Sequence, residues 1–339
     1  MRRDGSHIFL PFLLGALLLL AAGSFIFIGA VHIPAKAVIA GFLQKAGIQS
    51  AAVADQSFYD TILWQLRLPR IVVSLLAGAS LALCGCVFQS IFRNPVCDPY
   101  MLGISSGASL GAAVAFLLGL DTLVFGVTLP ALATALLTLF LIMGISAMQR
   151  RQSTQTLLLI GIALNFLISA VITLLMVINR QEMQKIFFWT MGSVASATWT
   201  DAICICITLT LVALVLFFYA KDLNIIQLES DAARTLGVDT QRATHVTLIA
   251  ASVLTAVVVS FCGVIGFIGL IVPHITRLIF GSDNRRLFTY SLFFGAFFLL
   301  IADTLARTLA APSELPVGSI TALAGAPYFI FLLLRKTKI

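Results

Sequence analysis

Apolar residues run along this chain in long blocks that do not alternate with polar ones, and charged residues gather between the blocks. Charge-poor windows place candidate helices at 8–31, 62–92, 99–120, 122–149, 152–179, 202–220, 243–261, 265–281, 287–309 and 315–334. A helix needs about 20 apolar residues to cross the hydrocarbon core, at about 1.5 Å of rise each. A barrel strand would show about 10 residues of alternating polarity. The pattern therefore predicts an all-α polytopic membrane protein with about ten transmembrane helices, forming a single domain over 1–339. An even number of crossings puts both termini on one side.

Two boundaries need comment. The stretch from Ala243 to Thr276 is free of charge for 34 residues, too long for one straight crossing, and contains Gly263, Gly266, Gly269 and Pro273. These residues let a helix break, hence the division into 243–261 and 265–281. At the N-terminus, Arg2 and Arg3 precede an uncharged run from Gly5 to Ala35. That run far exceeds the core of a cleaved signal and reads as a retained first helix.

Of the 339 residues 60% are hydrophobic and 10% charged, against about 25% charged in soluble domains. The net charge of +7 fits basic cytoplasmic loops better than a nucleic-acid surface. With the N-terminus inside, fourteen Lys and Arg fall on the cytoplasmic side and seven on the other, the sense of the positive-inside rule. The six cysteines form no secreted disulfide framework; most lie inside apolar runs and read as small buried hydrophobes. The pairs Cys84/Cys86 and Cys204/Cys206 could capture metal, but residues i and i+2 of a helix do not share a face.

Gly103, Gly107 and Gly111 recur every four residues, a stripe that admits another helix closely. Segment 221–242 is the longest polar cytoplasmic stretch. Ile225, Ile226, Leu228, Ala232, Ala233 and Leu236 fall near one helical face, and Gly237 is placed to end the helix. Such a helix lies on the lipid interface or docks into a partner's groove. Arg67, Arg70 and Arg307 are charges at helix ends near the membrane, which draws functional suspicion. Asp303 precedes Arg307 by four residues, so an intrahelical pair is open. Arg67 and Arg70 flank Pro69 without an acidic residue closer in sequence than Asp60, and look available to an external partner. There is no G-x-x-x-x-G-K-[ST] loop for ATP. His7, His32, His245 and His274 are isolated, with no zinc-site spacing, and His274, after Pro273, reads as structural. An ion-coupled secondary transporter would carry ionisable residues near the midplane, and these helices are nearly empty of them. Neither a catalytic cluster for a membrane enzyme nor a positive mark of a scaffold is found.

Six segments together resemble the FecCD-type permease family of ATP-binding-cassette importers for ferric siderophores, haem and vitamin B12. They are Arg67-Leu-Pro-Arg70 with FRNPVCDPYMLGISSGASLGA at 92–112, RRQSTQTLLLIGIALN at 150–165, FFWTMGS at 187–193, NIIQLESDAARTLGV at 224–238, GFIGLIVPHITRLIFGSDNRR at 266–286, and ADTLAR at 302–307 with ELPVGSITALAGAPYFIFLL at 314–333. The resemblance implies a homodimer in the plasma membrane, with two ATP-binding-cassette subunits below and a periplasmic or lipoprotein substrate-binding protein above. It implies no cofactor held by this chain, with ATP and Mg in the partner ATPase. On matching residues it makes Arg67, Arg70 and Arg307 a docking pocket for binding-protein glutamates. It makes Ile225, Ile226, Leu228, Glu229, Ala232, Ala233, Leu236 and Gly237 the ATPase coupling helix. It makes Asn94, Pro95, Val96, Ser153 and Thr154 the cytoplasmic gate, and Asn165 part of the path. The expected cargo is an iron complex, with vitamin B12 as the alternative. One departure from the family pattern is Cys97, where a small residue such as alanine is usual; Cys84 and Cys86 sit close to the expected path.

Overall fold

The computed structural model describes residues 6–29, 31–48, 55–148, 154–227 and 239–336, and among these every regular element is a helix. The fold is built around α4 (Leu68–Ile91), whose residues from Ala77 to Ile91 are all buried. A helix apolar on every side has to be enclosed by others, and α4 is. Upstream it continues through a π-helical turn, Ile62–Arg67, into α3 (Gln56–Thr61), a rod of 36 residues. The wide turn precedes Pro69, whose ring would clash with the Gln65 carbonyl in a regular helix.

Small residues set how closely the neighbours approach. Gly78 of α4 faces Gly295 of α13 (Asn284–Thr308), where a Cβ on Gly78 would lie 2.2 Å from the Gly295 carbonyl oxygen. Gly85 abuts Gly269 of α12 (Ile268–Phe280), where an added Cβ would lie 1.9 Å from the Gly269 oxygen. Helix α11 (Thr240–Cys262) closes another side of α4. α5 (Ile104–Leu117) packs on α6 (Thr128–Ala147) through Gly107 against Thr138 and Gly111 against Pro130 and Thr134. Gly103 does a different job. Its φ of 71° closes the 3-10 turn Pro99–Leu102 and opens α5.

The chain leaves the helix at Gly263 (φ 66°, ψ −166°), a conformation open to glycine alone. Pro273 instead sits inside α12. Its missing N–H frees the carbonyl of Gly269, which accepts from Gln89 Nε2 of α4 at 3.3 Å. The break thus falls at the first of the four residues singled out, and the proline is accommodated by a side chain from the neighbouring helix.

The periphery is formed by α1 (Ser6–Phe25), α7 (Thr154–Ile178), α9 (Trp199–Phe218) and α14 (Val317–Lys336). α7 exposes Leu159, Phe166, Leu167, Leu174 and Ile178, an apolar face that lipid or another helix has to cover. Length and apolarity qualify six helical runs for a full crossing, and four further apolar helices are shorter. Two of the short ones, α5 and α12, follow segments that leave the α-helical path, 92–103 with its 3-10 turn and the irregular 263–267. The first helix ends at Phe25 rather than at 31. Three helices fall where connections were expected, α2 (Ala35–Lys45), α3 and α8 (Met183–Thr190), and α10 (Ala220–Ile226) covers the start of the segment expected to form an amphipathic helix.

Candidate functional site

At one end of the bundle Arg67, Arg70 and Arg307 come together, and they are not free. All three are buried, with 6, 7 and 4% of their surface exposed. Arg70 Nε and Nη2 donate to Asp303 Oδ1 at 3.0 and 2.8 Å, and its Nη1 donates to Glu314 Oε1 and Oε2 at 2.8 and 3.0 Å. Asp303 therefore pairs with Arg70, 233 positions away, not with Arg307 on its own helix. Arg67 donates to the carbonyls of Ile26 and Val31, and Arg307 Nη2 to that of Phe25 at 2.9 Å. Two guanidiniums thus cap the carbonyl end of α1, where the helix dipole favours cations. Three arginines against two carboxylates leave one net positive charge, and among the described residues Arg307 Nε has no hydrogen-bond partner. The expectation that Arg67 and Arg70 stand open is corrected: a carboxylate nine helices along the chain and the backbone at the end of α1 already hold them. Glu314, to which no role was given, is the most exposed member, at 40% of its side chain.

Midway, a cavity of about 280 Å³ lies between α5 and α7, lined by Ser105, Ser106, Ser109, Asn165, Ser169, Ile172, Thr173, Thr190 and Val264. Asn165, Ser169 and Thr173 are four residues apart on α7 and share a face. Ser106, Ser109 and Thr173 each donate their hydroxyl proton to a carbonyl three or four residues back. Their oxygens remain as acceptors toward the cavity. The lining is mostly small and polar, without formal charge.

At the opposite end, Asn94, Pro95 and Val96 form one turn after α4. Asn94 Oδ1 accepts from the Val96 amide at 3.1 Å, and the Asn94 carbonyl accepts from Cys97. Asp98 caps the 3-10 turn through the Tyr100 amide at 2.9 Å, and the Tyr100 hydroxyl donates to the Ile265 carbonyl at 2.9 Å. Thr154 opens α7 and is half-buried; Ser153 lies outside the described residues. So do Leu228, Glu229, Ala232, Ala233, Leu236 and Gly237. Of the segment's described residues, Ile225 is half-buried, while Ile226 is packed into the main core and turned away from any external partner. The reason is that α10 lays its apolar side on the body of the bundle. Cys84 contacts the Ala251 carbonyl and Cys86 that of Leu287, so the two thiols point to different helices. Among the described residues no three His, Cys, Asp or Glu cluster as metal ligands.

A family model described as the FecCD transport family matches residues 8–335. The cobalamin import system permease BtuC of Halobacterium salinarum is 41% identical over 308 residues, covering 89% of this chain and 83% of that protein. The hemin transport system permease HmuU of Yersinia pestis is 36% identical over 282 residues, covering 80% and 83%. A solved structure described as an inward-facing, metal-chelate type ABC transporter superposes with a TM-score of 0.81 at 31% identity, covering 96% of this chain and 98% of that one.

Proposed function

This chain belongs to the FecCD transport family and is an ABC importer permease by that membership, and from this premise we propose that it carries an iron complex, a ferric siderophore or haem, across the plasma membrane. The observation that carries the reading is the match of the family model over nearly the whole chain. The small, uncharged lining of the α5–α7 cavity supports it, since a carrier protein that captures the ligand leaves little for the path to recognise. Cobalamin is the second reading, favoured by the 41% identity to a permease named for cobalamin import.

In this reading two copies pair with α7 near the shared axis, and both termini are cytoplasmic. Two ATP-binding-cassette subunits, which hold the ATP and Mg, grip the segment after α10. Their closure on nucleotide pushes that segment and rocks packed helices between two arrangements, as close-packed interfaces switch rather than bend. A substrate-binding protein docks at the arginine end through carboxylates. A planar guanidinium suits a carboxylate, and an arriving one meets Arg70 by exchange with the half-exposed Glu314. Asn94, Pro95, Val96 and Thr154 close the path at the cytoplasmic end.

The test is uptake into proteoliposomes holding this chain with its ATPase and binding protein. ATP-dependent, vanadate-sensitive uptake of a ferric hydroxamate or haem, and not of cyanocobalamin, is expected. Cyanocobalamin uptake alone would select the second reading. Uptake that survives vanadate and collapses with an ionophore would make the protein a secondary transporter.

A further inference from the structure

Helix α10 is tied to the bundle by more than its apolar side. Asn224 and Gln227, three residues apart, turn their amides inward. Asn224 Oδ1 accepts from the backbone amide of Asn284 at 2.8 Å, and its Nδ2 donates to Asp283 Oδ1 at 3.2 Å. Asn224 thereby holds the first turn of α13. Gln227 Nε2 donates to Ser90 Oγ at 2.9 Å, and its Oε1 faces Arg277 Nη1 of α12 at 3.4 Å. Ser90 lies one residue before the end of α4, directly ahead of the turn at 94–96. One short helix is thus bonded to the ends of α4, α12 and α13.

The network is also poised between arrangements. Ser90 Oγ has a single proton and two acceptors in reach, the Cys86 carbonyl at 2.8 Å and Asn284 Oδ1 at 2.9 Å. A hydroxyl donates to only one of them at a time. Among the described residues, Asn284 Nδ2 and Arg277 Nε and Nη2 are buried donors without hydrogen-bond partners, a costly condition that a modest shift of these helices could relieve. Directional bonds with alternative partners make a joint of discrete positions; an apolar contact would slide.

We infer that Gln227, Ser90 and Asn284, with Asn224 and Arg277, are positioning residues that transmit motion of the segment after α10 to the end of α4 and its 94–96 turn. The inference rests on the importer reading and adds to it the route by which ATP hydrolysis reaches the gate. Gln227 is the centre, since its amide bonds to both Ser90 and Arg277.

The experiment measures ATP hydrolysed per molecule imported by the whole complex in proteoliposomes, with a ferric hydroxamate, haem and cyanocobalamin as probes. Gln227→Leu and Ser90→Ala should each raise that ratio about fivefold, the low end of coupling between distant sites, while the ATPase still co-purifies. Gln227→Glu should raise the ratio as Gln227→Leu does, because a carboxylate cannot donate to Ser90 Oγ and takes the proton that Ser90 otherwise gives to Asn284 Oδ1. If Ser90→Ala imports at the unsubstituted ratio, the joint is refuted, whether or not Gln227→Leu assembles. If Gln227→Glu imports at the unsubstituted ratio, the bond donated to Ser90 is not the cause and the inference also falls. Failure of the importer reading itself would look different: the unsubstituted complex would import none of the probes in an ATP-dependent way.

Discussion

Replacing Arg70 by methionine removes the cation beside Asp303, whose side chain is fully buried. An uncompensated buried charge costs about 3–5 kcal/mol. Glu314 stands apart, because its side chain is 40% exposed and solvent screening reduces its contact to about 0.2–1 kcal/mol. Each kcal/mol moves the midpoint of a large domain by about 2 °C. Arg70→Met should therefore lower the unfolding midpoint of detergent-purified protein by about 6 to 10 °C, and Glu314→Gln by about 2 °C or less. Arg70→Met combined with Asp303→Leu should recover most of the loss, since a buried pair replaced by apolar residues of similar volume is often neutral. The assay is size-exclusion after heating at one fixed rate, because membrane proteins of this size unfold irreversibly. A midpoint for Arg70→Met within 2 °C of the unsubstituted protein, or no recovery in the double variant, would refute the reasoning. Charge reversal at Arg70 should consequently damage the fold, so a loss of docking in that variant would not isolate a docking role. Glu314→Gln, which frees one edge of Arg70, is the cleaner probe and should strengthen binding-protein association at low salt.

Gly85→Ala places a Cβ 1.9 Å from the Gly269 oxygen, where ordinary contact begins at 3.4 Å, so α4 and α12 must part; a loss of about 1–3 kcal/mol is expected in the same thermal assay. Gly144→Ala, which meets nothing within 4 Å, should leave the midpoint unchanged or raised. Ile225→Asp should release the ATPase in co-purification at an unchanged midpoint, whereas Ile226→Asp should lower the midpoint by burying a charge. Lys185 donates to Asp121 at 2.9 Å and holds that carboxyl below its ordinary pKa. The pair accordingly supports the fold above the ordinary carboxylate pKa and is lost as pH falls through the lowered value. Because both groups are open to solvent the change is small, and a lower protection factor in α8 on acidification, after correction for the intrinsic pH dependence of exchange, is its signature.

The helices were legible because the bilayer demands long apolar runs: each of the ten windows coincides with an apolar helix, though only six runs are long enough by themselves for a crossing. The break at Gly263 was legible because glycine is needed for its backbone angles. What stayed hidden was set by contacts between distant parts of the chain. Nothing local tells that Arg70 meets Asp303, or that Gln227 meets Ser90, 137 positions away. Helices α2 and α8 lie in stretches too short and too mixed in polarity to read as crossings. Ile226 looked like part of an outward face because the amphipathic pattern was read across 225–236 as one helix, whereas α10 ends at Ile226.

The account stands on the ten-window topology with the end of α10 in the cytosol, where a separate ATPase could reach it. Cysteines placed at the exposed positions Lys221 and Lys185 test it most directly, in a background lacking the native thiols, with a membrane-impermeant maleimide on intact spheroplasts. Lys185→Cys should label at once and Lys221→Cys only after permeabilisation. Labelling of Lys221→Cys from outside intact cells would contradict the account.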